Sequence, residues 1–463
     1  MNILLVNPIN RSYVIMPSLG LGYLASRARK RGHTITILNC LKEKMNFKDF
    51  QIYIKQNQFD VIGFQMYSYD LEPVKKHIHI IKSISPSTVT IAGGPHPSGA
   101  PQQTLEYLNE LDFAFRGESE IGFPLLLDRL EENLQDPQDL FAVPGLIWRQ
   151  DGGIMVNNPD YIKYLDDLEF PSWDLLEPHT YHEASHGAFA KYFPAAPIII
   201  SRGCPFQCTF CAGKAITGPQ VRFRSIDNVI EEITYLSTHF GIREFLIEDE
   251  NLTFNKALTT EFCEKILSSP LKCISWSCPS GVRLDTLDKE ILELMERAGC
   301  YSLAMGIEFG TQKMLDLTKK QLSLKMIEDK ISLLAQTRIK TTGFFMMGVP
   351  GETLSDIKKT IKFALKLKLD RAQFNNFMPL PGSEIGDRLQ QEHALDDFDW
   401  SRMFVHNVSF EIPGVNRNKL KNLQRMSYLR FYLRAKIIIN ILKEIKSFRH
   451  LLYLLRRIKD ALF

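Results

Sequence analysis

Cys204, Cys208 and Cys211, in the run SRGCPFQCTFC, are the residues of this chain best suited to chemistry. Their spacing is C-x3-C-x2-C, and no fourth cysteine follows closely. A four-iron cubane normally takes four thiolates, so three on one short loop imply a cluster with one iron left open. The competing assignment is half of a zinc site. Structural zinc usually closes with two ligand pairs of the C-x2-C or H-x3-H kind. Here Cys40, Cys263, Cys273, Cys278 and Cys300 are scattered, and His182 and His239 stand alone in their neighbourhoods. The spacing favours iron–sulfur. A disulfide framework fits less well, because the chain is long and opens with MNILLVNP, a strand pattern rather than a charged leader.

The elements that must position this loop follow from periodicity. Runs at 3–7, 34–39, 60–65, 88–94 and 112–117 read as buried parallel strands. Helical patterns lie between them, at 19–31, 47–56, 71–83 and 101–109. This alternation predicts an α/β, doubly wound domain over residues 1–130, with ligands outside the C-terminal strand ends. Those ends are Asn7-Pro8, Gln65–Tyr69, Gly93-Gly94-Pro95-His96 and Gly117-Glu118. No G-x-G-x-x-G follows the first strand, so a dinucleotide is not indicated. Residues 131–195 are broken by Pro and Gly and read as a linker with a small strand pair, 145–149 and 154–156. From 196 to 385 six further strand runs alternate with helices, as in a partial (β/α)6 barrel whose chemistry sits at the C-terminal strand ends. The cysteine loop directly follows the first of those strands. Residues 386–463 read as helical and amphipathic.

The whole-chain figures bound the problem. At 463 residues, with 44% hydrophobic and 24% charged residues, the composition is that of a soluble globular protein of two or three domains. No window approaches 18 uninterrupted apolar residues, so no membrane span is expected. Eight cysteines without a secretion signal point to a reducing cytoplasm. The net charge of +3 hides an asymmetry: residues 411–463 hold thirteen Lys and Arg against three Asp and Glu, a net of +10, leaving −7 for the rest. Such a tail can face anionic lipid, nucleic acid or an acidic partner, or be a helical pair whose polar face happens to be basic.

SRGCPFQCTFC resembles the signature of radical S-adenosylmethionine enzymes, with Phe210 as the aromatic residue before the third cysteine. NPINRSYVIMPSLGLGYLASRARKRGHTITILN, GGPHP and RGESE resemble a cobalamin-binding domain. With MGIEFG, MMGVPGET and FMPLPGSE following in order, the chain resembles the cobalamin-dependent radical enzymes. That group includes anaerobic magnesium-protoporphyrin ester cyclase and many carbon methylases. The resemblance covers about residues 1–385. One departure is clear: cobalamin domains with a histidine lower ligand carry D-x-H-x-x-G after the first strand, and that motif is absent here. The lower face of the corrin is then expected to meet Gln65–Tyr69.

The resemblance implies three cofactors: a [4Fe-4S] cluster on Cys204, Cys208 and Cys211, S-adenosylmethionine on its open iron, and cobalamin. It assigns Glu248, Asp249 and Glu250 to the methionine ammonium, and Arg283 to the carboxylate by a bidentate fork. Helix capping is the ordinary alternative for the acids, and an ion pair for the arginine. Glu308 is expected at the ribose hydroxyls, and Gly348, Val349 and Pro350 at adenine. Pro8, Ser68, Gly93, Gly94, His96, Gly117 and Glu118 are expected around cobalamin. The implied reaction is methylation of an unactivated carbon through a 5′-deoxyadenosyl radical and methylcobalamin. A non-methylating cyclisation or rearrangement is the alternative within the family, and a cobalamin sensor the alternative outside it. The expected partners are a small-molecule or lipid-like substrate and a low-potential electron donor such as flavodoxin or ferredoxin. No nucleic acid is expected. The basic C-terminal helices suggest a peripheral membrane contact for an otherwise cytoplasmic protein.

Overall fold

The computed structural model describes the chain apart from residues 11, 13–14, 133–136, 182–189, 397, 405–406, 446–447, 449–450 and 453–463. His182, part of the linker and the end of the basic tail therefore lie outside the described residues. The chain divides into two compact units. The first holds Met1–Tyr181, Phe210–Phe223 and Leu380–Ser401; the second holds His182–Thr209, Arg224–Pro379 and Arg402–Phe463.

In the first unit the strands are β1 (Asn2–Asn7), β2 (Thr34–Asn39), β3 (Val61–Gln65), β4 (Val89–Gly93), β5 (Phe113–Phe115), β6 (Leu146–Gln150) and β7 (Gly153–Val156). They form one sheet in the order β2-β1-β3-β4-β5-β6-β7. Strands β1 to β5 run parallel, while β6 and β7 join antiparallel. The strand pair expected in the linker therefore completes this sheet. Leu146, Ile147 and Trp148 of β6 are buried, so the pair covers an edge that β5 would otherwise expose. Alternate residues feed two cores: Leu4, Val6, Ile62 and Phe64 on one face, Ile3, Leu5, Val61 and Ile91 on the other. The order 2-1-3-4-5 reverses between β1 and β3, the kind of switch point at whose C-terminal strand ends such sheets bind ligands.

The second unit is built on β8 (Ala195–Ile198), β11 (Glu244–Ile247), β12 (Ser275–Val282), β13 (Cys300–Glu308), β14 (Lys340–Met347) and β15 (Arg371–Asn376). Two short strands flank the cysteine loop between β8 and β11: β9 (Ser201–Arg202) and β10 (Arg222–Phe223). The six long strands are parallel and sequential, from β8 at one edge to β15 at the other. Helices Ile226–Phe240, Lys256–Ser268, Lys289–Arg297, Leu324–Leu334 and Leu354–Lys366 connect them. Sequential parallel order is that of an open (β/α)6 barrel, with every C-terminal strand end on one rim.

An open barrel leaves unpaired backbone along its edge strands. Here the helix Arg417–Tyr432 supplies the missing partners for β15 from its side chains. The Tyr432 hydroxyl accepts from the Ala372 amide at 3.2 Å and donates to its carbonyl at 2.9 Å. The Tyr428 hydroxyl accepts from the Phe374 amide at 3.2 Å, and the Gln424 amide donates to the Phe374 carbonyl at 2.6 Å. Helix Ala435–Glu444 is pinned beside it by buried Ile437 and by Glu444, which meets Arg371 at 2.5 Å. Among the described residues no helix is long and apolar enough to cross a membrane.

Candidate active site

The cysteine loop leaves β8 and is tied down at its base by the acids that follow β11. Ile198 and Ile247 are register partners, so Glu248-Asp249-Glu250 emerges beside Ile200–Gly203. The Asp249 carboxylate is fully buried and accepts from the Ile200 amide, the Ser201 amide and the Ser201 hydroxyl at 2.8, 2.8 and 2.6 Å. Burial pushes its pKa up to about 7, against the pull of those donors. Glu250 accepts from the Gly203 amide at 3.1 Å, where the backbone turns at φ +100°. In this arrangement the Asp249 oxygens anchor the base of the loop. Glu248 accepts from Ser280.

None of the three cysteines is in a disulfide; Cys204 and Cys208 are half-buried and Cys211 is exposed. The Gly213 amide donates to Cys211 Sγ at 3.4 Å, and the Phe206 amide donates to the Cys204 sulfur. Burial raises the Cys204 thiol, so its ionisation calls for a cation. Cys40 and Cys263 are held protonated by burial at about 12, and Cys278 and Cys300 are likewise pushed up inside the core. The accessible thiols are the triad and Cys273. The division into units falls inside this loop, with Thr209 in the second and Phe210, half-buried, in the first.

The other expected residues of the second unit also stand at C-terminal strand ends. Arg283, just past β12, is buried and forks onto Asp285 at 3.0 and 2.9 Å, with its guanidinium carbon 3.5 Å from the Phe206 ring centroid. Nε and Nη2 are thus engaged within the chain, while the buried Nη1 has no hydrogen-bond partner. Glu308 ends β13 at φ +65°, a strained conformation for a non-glycine residue, and accepts from buried Lys320 at 3.2 Å. Past β14, Gly348 (φ +85°) and Val349 donate to Glu352 at 2.6 and 3.3 Å, and Pro350 is half-buried beside them. Burial pushes Glu352 up to about 8.

Unpartnered buried polar atoms gather on this same rim. They belong to Thr209 in the cysteine loop, Asn251 after β11, Arg283 after β12, Glu352 after β14, and Asn375 and Asn376 at the end of β15. Asn376 is 3% exposed with both amide atoms unsatisfied. Buried polar groups normally carry partners, so this concentration marks the place of a polar ligand. Asn251, Asn375 and Asn376 escaped the sequence reading. The available signal was the pair of amides that ends the strand run RAQFNN.

In the first unit the residues around the β1/β3 switch point are mixed in character. Pro8 is buried after β1. Ser68 Oγ lies 2.9 Å from His96 Nδ1, and His96 is 2% exposed with its ring edge-on to Trp400 at 5.3 Å. Burial lowers the imidazole to about 4, so it is neutral in its enclosed position. Gly94 (φ +121°) is required by the chain itself, since a Cβ there would meet the Met66 carbonyl at 2.9 Å. Gly117 is likewise fixed by Pro159, at 2.7 Å from a built Cβ. Only Gly93 among these glycines leaves a Cβ with no neighbour nearer than 3.9 Å. Glu118 forms a buried ion pair with Arg222, at 2.5 and 2.8 Å. Tyr67 is the exposed member of the Gln65–Tyr69 stretch, stacked on Tyr69 at 5.4 Å. A groove of about 710 Å³ opens at the opposite ends of β4 and β5, but Lys82–Asp112 and Arg149 there are already bonded.

The family profile described as the Radical SAM superfamily matches residues 198–364, and the B12 binding domain matches residues 9–127. An uncharacterized methyltransferase of Pyrococcus horikoshii is 30% identical over 458 residues, 97% of this chain and 96% of its own length. The chain belongs to the B12-binding radical SAM enzymes. The cytidylyl-2-hydroxyethylphosphonate methyltransferase of Streptomyces wedmorensis is 28% identical, over 86% of this chain and 82% of its own. The fold matches that of the cobalamin-dependent S-adenosylmethionine radical enzyme OxsB, with a TM-score of 0.74 at 16% identity, covering 99% of this chain and 70% of that one.

A B12-binding radical SAM enzyme uses a [4Fe-4S] cluster, S-adenosylmethionine and cobalamin, and the residues present fit all three. Among the described residues no three His, Cys, Asp or Glu side chains converge as a single metal ion would require. A cubane asks for something else, one thiolate on each of three separate irons, and the loop offers three accessible thiols, two of them with amide donors to sulfur. The unsatisfied amides and guanidinium on the second unit's rim suit the amino acid and nucleoside ends of S-adenosylmethionine. For cobalamin, the β1/β3 switch point, the open side of Gly93 and exposed Tyr67 offer a surface without an accessible histidine.

Proposed function

We propose that this enzyme adds a methyl group to an unactivated carbon of a small-molecule or lipid-like substrate. The observation that supports this most is the 30% identity to a relative named as a methyltransferase, sustained over 97% of the chain and so across both cofactor domains. When bound, the reduced cluster and S-adenosylmethionine supply a 5′-deoxyadenosyl radical that abstracts a substrate hydrogen, and cobalamin carries the methyl group. The protein's own part is positional. Asp249 and Glu250 fix the base of the cysteine loop, and Glu352 fixes the Gly348–Val349 backbone against the nucleoside. Asn251 and Arg283 bring unsatisfied donors to the same rim. Exposed Tyr67 and the open side of Gly93 would hold cobalamin, with His96 buried and neutral in the same unit. A flavodoxin- or ferredoxin-class donor delivers the electron.

The test uses S-adenosylmethionine with a deuterated methyl group, a strong reductant and the metabolite pool of cells lacking the gene. The expected products are S-adenosylhomocysteine, 5′-deoxyadenosine and a metabolite carrying the label. Substrate-dependent deoxyadenosine with no S-adenosylhomocysteine and no transferred label overturns methylation and leaves cyclisation or rearrangement.

A further inference from the structure

Helix Ala435–Glu444 has two faces that disagree with an ordinary surface helix. Its inward face is accounted for: Ile437 is buried and Glu444 is held by Arg371. Its outward face should then be polar. Instead Ile438, Ile439 and Leu442 project there, Leu442 being 60% exposed. At 100° per residue these three lie within one arc of about 100°, opposite Ile437 and Glu444. Lys436 and Lys443 stand exposed along one flank of that arc. Exposed Leu433 precedes the stripe, and Phe448 (73% exposed) and Leu452 follow it.

We propose that this face docks on an anionic lipid surface. An aliphatic stripe flanked by lysines matches the acyl boundary and the headgroup layer of such a surface. A nucleic acid would meet the lysines but gain nothing from aliphatic side chains. A second copy packed face to face about a twofold axis would bring the same lysines, in a tail of net charge +10, against their own counterparts. Because Glu444 ties the helix to Arg371 of β15 and Ile437 is buried, the stripe is presented without any unfolding, and the contact is independent of the catalytic reading.

The experiment is flotation of the full-length holoenzyme with vesicles of phosphatidylcholine alone or mixed with phosphatidylglycerol. The wild-type chain is expected to float only with the anionic vesicles, and less so as salt rises. Lys436→Ser with Lys443→Ser should weaken binding roughly tenfold to thirtyfold at low salt, from the loss of two surface charges. Ile438→Glu with Leu442→Glu should abolish it while iron content and melting temperature stay at the parent values. The proposal is overturned if the wild-type chain stays below the anionic vesicles. It is equally overturned if the Glu variant floats as the parent does, or if that variant instead converts a dimer to a monomer in sedimentation.

Discussion

Asp249→Asn is the substitution that separates an anchor of the cysteine loop from a ligand contact. The carboxylate accepts three hydrogen bonds, one on Oδ1 from Ile200 and two on Oδ2 from Ser201. An amide of the same shape has one acceptor oxygen and one donor nitrogen. Turned one way, its NH2 faces the Ser201 amide; turned the other, it faces the Ile200 amide. Either way one buried backbone N–H is left opposite another donor, which costs about 1–3 kcal/mol. A 1.4 kcal/mol change is tenfold, so the clamped loop should become roughly tenfold to a hundredfold less favoured. Ser201→Ala removes only the hydroxyl donor and should cost about 0.5–1.5 kcal/mol. The assay is release of cluster iron to a chelator from the anaerobically reconstituted protein, with urea unfolding in parallel. The expected order of release is Asp249→Asn, then Ser201→Ala, then wild type. Parent-like release from Asp249→Asn, or a larger effect from Ser201→Ala, refutes the anchoring role.

Tyr432→Phe deprives both the amide and the carbonyl of Ala372 on edge strand β15 of their shared partner, and should cost about 2 kcal/mol or more in urea unfolding. A loss below about 0.5 kcal/mol would mean that the edge is sealed by other means. Glu352 has a folded pKa near 8, above its ordinary value of 4.5, so the folded state holds its proton longer than the unfolded state does. Its contribution to stability is therefore full below the ordinary value and is lost as pH rises through about 8. Between roughly pH 6 and pH 9 the denaturation midpoint of wild type should fall more than that of Glu352→Gln, and parallel midpoints would contradict the burial argument. Tyr67→Ala should weaken cobalamin binding about tenfold in an absorbance titration, through loss of exposed aromatic area. Unchanged affinity removes Tyr67 from that surface.

Periodicity made the elements legible. The expected strand at 34–39 is β2 residue for residue, and the expected helix at 47–56 is Phe47–Gln56. Buried parallel strands are nearly continuous apolar runs, and the helices between them alternate faces, so each leaves a local pattern. The cysteine spacing was legible for the same reason, since three ligands of one cluster sit on one loop. Charged partners were not. Glu118 meets Arg222 across 104 positions, and nothing local marks either as half of a buried pair. Asp249 reads as one of three adjacent acids, and only the β8–β11 register shows that it faces the cysteine loop. Arg283 takes Asp285 two residues on, a choice decided by the turn after β12. The sealing of β15 by Gln424, Tyr428 and Tyr432 was hidden too, because these side chains bond backbone groups some 50 to 60 residues away and leave no local pattern.

The most direct test of the account is electron paramagnetic resonance of the reduced, reconstituted cluster before and after S-adenosylmethionine is added. Three thiolates from Cys204, Cys208 and Cys211 leave one iron for the cofactor, so the signal should change on addition and be absent from the Cys208→Ala protein. A signal that S-adenosylmethionine leaves unaltered, or one that survives the substitution, would contradict the assignment.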